Sequence, residues 1–164
     1  MSVSPSEILY YLTPTGNSDP LLSLGGSGYG GAIGAGIHAP FDRVSPAEAS
    51  AGDIEYRAIV VLNSNVTDTL YDAVVWISTE TSSAATTVAL AYDSAGTQSV
   101  VNESTAPSSP ALSFSAPTSK ATGIALGDIA PGATKRIWLR WTVTAGAAGT
   151  ASDAGALSTG GGTV

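Results

Sequence analysis

The stretch Ile124-Ala125-Leu126-Gly127-Asp128-Ile129-Ala130-Pro131-Gly132-Ala133-Thr134-Lys135-Arg136-Ile137-Trp138-Leu139-Arg140-Trp141-Thr142-Val143 decides the fold class of this chain. Its first half contains a tight turn, Gly127 to Gly132, in which Pro131 presets φ and Gly132 accepts the positive φ that a side chain resists. Beyond the turn the residues alternate. Ile137, Leu139, Trp141 and Val143 fall on one face of an extended strand, and Arg136, Trp138, Arg140 and Thr142 on the other. A period of two is the signature of a strand; helical apolar positions recur every three or four residues.

The same alternation continues toward the N-terminus. Thr87 to Tyr92 places Val88, Leu90 and Tyr92 on one face and closes on the turn Asp93-Ser94-Ala95-Gly96. Leu70 to Ser78 sets Val74 and Trp76 against Tyr71, Ala73, Val75 and Ile77. Ile54 to Leu62 sets Ile54, Tyr56, Ala58, Val60 and Leu62 against Glu55, Arg57, Ile59 and Val61, a strand that leaves a half-exposed edge and enters a region buried on both faces. Weaker strand signals lie at Gln98–Val101 and Leu112–Phe114. Helical periodicity is confined to Ser45–Ser50, where Ser45 caps a single turn with Pro46 first, Glu48 completing a capping box, and Gly52 as the stop. Short strands separated by turns favour an all-β fold, an antiparallel β-sandwich resembling the immunoglobulin-like kind, over residues 52–144. Tyr56, Val60, Val74, Trp76, Leu90, Ile137, Leu139 and Trp141 are its expected core.

Two extensions flank this domain in the sequence reading. Residues 1–51 are expected as an extended, glycine-rich N-terminal arm, with seven glycines between Gly25 and Gly36. Its apolar side chains need a surface to lie on, so Tyr10, Tyr11, Leu22, Leu24 and Phe41 are expected as anchors on neighbouring subunits. Residues 145–164, almost all Ala, Gly, Ser and Thr, are expected as a flexible C-terminal tail. Trp138, between Arg136 and Arg140, is expected to face outward, as an interface or sugar-stacking residue or as a ring that only covers the sheet.

Composition narrows the partners. Charged residues make up 12% of the chain, and the net charge is −7. Two lysines and four arginines, spread along the sequence, form no footprint for phosphates, so nucleic acid is not expected as a partner. No window approaches the roughly 18 apolar residues of a membrane span. With no cysteine and no signal-like segment after Met1, the chain is expected to be made and used in a reducing cytoplasm.

Catalytic and cofactor chemistry finds little to work with. His38 is the one histidine and sits in the glycine-rich arm, without a Gly-x-Ser-x-Gly elbow to serve. Gly26-Ser27-Gly28-Tyr29-Gly30-Gly31 has the spacing of a dinucleotide fingerprint, but Ala32-Ile33-Gly34-Ala35-Gly36 will not hold the helix that must follow. Asn63 to Asp68 has oxygen ligands at calcium-like spacing but lacks the acidic density and turn glycine of a calcium loop. Asp53, Glu55, Asp68, Asp72, Asp93 and Asp128 are dispersed. No enzyme activity, cofactor or metal is therefore expected.

Several short motifs nevertheless occur in a suggestive order. Leu24-Gly25-Gly26 comes first, then Phe41-Asp42-Arg43-Val44 and Gly52-Asp53-Ile54-Glu55-Tyr56-Arg57. Val74-Val75-Trp76-Ile77, Ala106-Pro107, Gly127-Asp128-Ile129-Ala130-Pro131-Gly132 and Ile137-Trp138-Leu139-Arg140 follow. From about residue 8 to about residue 147 this order resembles small structural proteins encoded among the virion genes of tailed phages. The resemblance implies a virion protein assembled in the bacterial host cytoplasm, with the major capsid protein or other virion subunits, and further copies of itself, as partners. A capsid decoration (cement) protein on the outside of the shell is the leading expectation, a tail or baseplate component the second. A carbohydrate-binding sandwich, with Trp138 as its platform, is the competitor from another class.

Overall fold

The computed structural model describes residues 2–33, 40–148 and 153–162. Its strands are β1 (Ile8–Leu12), β2 (Asp53–Asn63), β3 (Leu70–Thr79), β4 (Thr86–Asp93), β5 (Ile124–Ile129), β6 (Thr134–Val143) and β7 (Ala156–Gly162), with one short helix, α1 (Pro46–Ala51). They form two antiparallel sheets, ordered β1-β2-β6-β4 and β5-β3-β7. The all-β sandwich is therefore present. A constant-type immunoglobulin domain pairs its first, second, fifth and fourth strands in one sheet and its third, sixth and seventh in the other. Here the sixth strand takes the inner place of the fifth, and the fifth pairs with the third, so the architecture is shared but the connectivity is not.

The core between the sheets is built by the alternation. Ile59, Val61, Leu90, Ile137 and Leu139 of the first sheet meet Ala73, Val75, Ile77, Leu126 and Ile129 of the second, all buried. In β3 the face of Ala73, Val75 and Ile77 goes inward, which leaves Val74 and Trp76 only half-buried on the outer side. Their expected place in the core is corrected: both faces of that strand are apolar, so the pattern did not show which one the first sheet covers. Tyr56 is likewise half-buried, while Val60, Leu90, Ile137, Leu139 and Trp141 are buried as expected.

The turn before β6 is Ala130–Ala133, closed by Ala133 N–H donating to Ala130 C=O at 2.9 Å, with Gly132 at φ 70°. Gly127–Ile129, assigned to that turn from sequence, instead ends β5. Helix α1 forms as expected: Ser45 Oγ accepts from Glu48 N–H at 3.3 Å, Glu48 returns a bond to Ser45 N–H at 2.6 Å, and Gly52 follows at φ 80°. Gln98–Val101 and Leu112–Phe114 are not strands; the segment they belong to meets the sheet at an isolated bridge from Ser115 to Leu90, and the loop around Gly25 at another from Ser99.

The two extensions also differ from expectation. Residues 8–12 pair with β2 in register, Ile8 opposite Asn63 and Leu12 opposite Ile59, and Ile8 and Leu12 are buried. The free edge of β1 is met by residues 30–33: Leu12 N–H donates to Gly31 C=O, and Ile33 N–H to Tyr10 C=O. Residues 156–162 form β7 along β3. Both segments thus contribute strands to the sandwich assigned to 52–144. The physical reason is edge completion, since β2 and β3 carry main-chain groups that these segments pair.

Candidate functional site

The first sheet is covered on both faces, and this decides the fate of Trp138. Its inner face carries the core. On the other face, Ala58 and Ala91 leave room beside Trp138, and Tyr56, Val100, Leu112 and Phe114 close over the ring. Trp138 is 0% exposed. Its assignment as an outward interface or sugar-stacking residue is overturned, because loop residues from 98 to 116 and from 13 to 28 pack where solvent was expected. At the centre of this cover lies Gly25, at φ 90°, where a Cβ would stand 2.8 Å from Trp138 Cζ2 and collide with Gln98 C=O. Only glycine fits so close an approach at that φ.

Arg136 fastens the same loop. Its Nη1 donates to Gly26 C=O at 2.5 Å and its Nη2 to Gly28 C=O at 3.1 Å. Burial lowers the Arg136 pKa, and the opposed Asp93 charge works against that shift. Asp93 in turn accepts from Ala95, Gly96 and Gln98 N–H groups. The Gly26–Gly31 spacing therefore serves a loop clamped to its own sheet; Ala32 bridges to Tyr11 where a dinucleotide fold would start a helix.

The other expected anchors divide. Tyr10 points inward, packs against the core and meets Thr159 Oγ1 of β7 through its hydroxyl at 2.8 Å; burial raises its pKa. Tyr11 is half-buried with its ring centroid 4.9 Å from that of Tyr29. Leu24 is half-buried, its C=O accepting from Val100 N–H at 3.0 Å. Phe41 packs on Trp141 at 5.3 Å and lies 5.7 Å from the Arg57 guanidinium. Leu22 is 59% exposed, beside the exposed Leu21 on a short turn capped by Asp19. Of the six, Leu22 is the one with most of its side chain open to a partner. His38 lies outside the described residues.

Sequence reasoning missed a charge cluster at one end of the inner face. Arg57 Nη2 lies 2.9 Å from Glu55 Oε2 and 2.5 Å from Glu103 Oε2, with Arg57 and Glu55 buried and Asp42 adjoining. A signal was present: Glu55 and Arg57 share the face of Ile59 and Val61, so charge was written into a core-facing register. One guanidinium pairs with two carboxylates, a third, Asp42, lies beside Glu55, and a proton relieves the excess. Burial pushes Glu55 up from its ordinary 4.5 to about 8; Arg57 lowers it, and Asp42 and Glu103 raise it further.

The stability consequence has a definite sign. Below pH 4.5 folded and unfolded chains both hold the Glu55 proton; between 4.5 and about 8 only the folded chain does. The Glu55 contribution is thus complete at low pH and declines by up to about 1.4 kcal/mol per pH unit as the pH rises through that window. Glu55→Gln keeps the shape of the neutral acid. Thermal melts of both chains from pH 5 to pH 8 should show a steeper fall for the native chain, and parallel curves would contradict this account.

The Asn63–Asp68 loop uses its side-chain oxygens internally. Asn65 Oδ1 accepts from Thr67 and Asp68 N–H groups at 2.8 and 2.6 Å, and Asn63 Nδ2 donates to Asp68 and Ile129 C=O, each at 2.9 Å. Among the described residues, no group of three or more His, Cys, Asp or Glu is placed to hold a metal, and no helix is long and apolar enough to cross a membrane. No protein-family model matches this chain, and no curated protein or solved structure matches it.

Proposed function

We propose that this chain is a non-enzymatic structural protein of a tailed-phage particle, a decoration protein seated on the outside of the capsid shell. The observation that carries the reading is its charge-poor surface. Charged residues are 12% of the chain, about half the share of an ordinary soluble domain. Several of these few charges, among them Arg57, Glu55, Arg136 and Asp93, are buried. Leu22, Val66 and Val101 are meanwhile 59%, 88% and 87% exposed. Depletion of charge with exposed apolar side chains suits a surface covered by protein neighbours. The motif order quoted above supports the same class of protein. Synthesis in the host cytoplasm fits the same reading.

Partners on this reading are the major capsid protein or adjoining virion subunits and further copies of the chain. A tail or baseplate position would use the same sandwich. Purified chain mixed with undecorated particles should co-sediment to saturation at a fixed ratio to the major capsid protein. Leu22→Asp, which puts charge on an exposed side chain without touching the core, should reduce that binding at least tenfold. Failure of the native chain to co-sediment would remove the decoration reading.

A further inference from the structure

The second sheet ends in a strand unlike the rest. Each of β1 to β6 has at least two buried residues, whereas β7 has none. Beyond its ladder with β3, Leu157 packs against the core, Thr159 Oγ1 meets Tyr10, and Ala156 and Gly161 C=O accept from Ser78 Oγ and Lys120 Nζ. The ladder itself slips twice, between Tyr71 and Val74 and between Ile77 and Thr79. A glycine-rich strand with few buried side chains specifies its pairing weakly and exchanges readily.

The groove along β3 is nonetheless selective for what fills it. At Gly161 a Cβ would collide with Tyr71 C=O and stand 2.9 Å from Leu70 Cγ; at Gly160 a Cβ would touch the Trp76 ring at 3.4 Å. A strand carrying a side chain at the Gly161 position does not fit. The Ala156–Gly162 sequence does, whether it belongs to the same chain or to a second copy. Of the residues that join β6 to β7, Thr144, Gly146 and Ala147 donate their N–H groups to Ala85, Ser50 and Ala49 C=O, and the Asp153 carboxylate accepts from Ser82, Ser83 and Thr86. The crossing therefore runs from Ala147 to Asp153, a chain length of at most about 20 Å.

We propose that β7 is an exchange strand: Ala156–Gly162 of one copy lies along β3 of a second copy, in the groove its own β7 occupies here. Contacts within the groove are the same in either arrangement; Asp153 keeps its bonds if it crosses with β7 onto Ser82, Ser83 and Thr86 of the second copy, and Thr144, Gly146 and Ala147 keep theirs by staying on their own copy. Exchange then loses mainly the entropy of association, and crowding copies on a surface reduces that loss. This adds a linking device to the homo-oligomer reading. It is tested on purified chain alone, so its failure leaves attachment to a particle standing.

The chain has no cysteine, so introduced thiols report cleanly. Thr79 and Ala156 are both exposed and directly opposite across β3 and β7. Thr79→Cys and Ala156→Cys chains, mixed at high concentration under mild oxidation, should give disulfide dimers that join one copy of each, well above same-variant dimers. Adding Gly161→Val to the Ala156→Cys chain should abolish them. Independently of thiols, sedimentation of the native chain should show dimers growing with concentration, and the Gly161→Val chain should remain monomeric. A native chain that stays monomeric at every concentration overturns the proposal, and so do dimers that form without the mixed cross-link.

Discussion

A chain lacking residues 1–44 should not fold. Its loss removes β1 and with it the pairing of β2 from Ile59 to Asn63. It strips the Gly25 cover from Trp138 and both carbonyl partners from Arg136. It also takes Phe41 from the faces of Trp141 and Arg57. Together these exceed about 5 kcal/mol, the lower end of what a whole domain holds. Circular dichroism of the truncated chain should show no cooperative thermal transition. A transition within a few degrees of the full chain would mean that residues 1–44 are an arm after all, and the sandwich would then be complete without β1.

Trp138→Ala should cost about 3–5 kcal/mol, the usual range for deleting a large ring from a closed core. The surroundings cannot collapse easily, since Ala58 and Ala91 line the ring on the sheet and Val100, Leu112 and Phe114 lie in loops already held by hydrogen bonds and bridges. Trp138→Phe should cost much less, because the indole Nε1 has no hydrogen-bond partner to lose. Denaturant unfolding of both variants measures the difference. If Ala is tolerated within about 0.5 kcal/mol, as at an exposed surface position, the burial of Trp138 is wrong and an outward binding platform returns.

The truncation and the Trp138 variants mark where the sequence was legible and where it was not. Strand alternation located β2, β3, β4 and β6 closely, because period-two burial follows from the backbone itself. The Ser45–Gly52 helix was equally readable, its capping box and stop residue being local chemistry. Which face of a strand is covered was not local. Trp138 sits between two arginines, a pattern that reads as solvent, yet Arg136 spends its charge on Gly26 and Gly28 and on Asp93, and Arg140 lies 5.2 Å from the Phe114 ring. The glycines of residues 25–28 looked like slack; they are the residues that let a loop press against that indole. β7 was hidden for a related reason. Ala-Leu-Ser-Thr-Gly-Gly-Gly has almost no strand propensity, and only the shape of the groove beside Leu70, Tyr71 and Trp76 calls for it. Glu55 and Arg57 were readable from register but not Asp42 and Glu103, which reach the same place from distant loops.

The proposed function is tested most directly by imaging intact particles made by the genome that encodes this chain, at a resolution that distinguishes a β-sandwich. The account predicts density for the sandwich on the outer surface of the shell, in a fixed ratio to the major capsid protein. Density confined to the tail or baseplate, or particles from which the chain is absent, would contradict it.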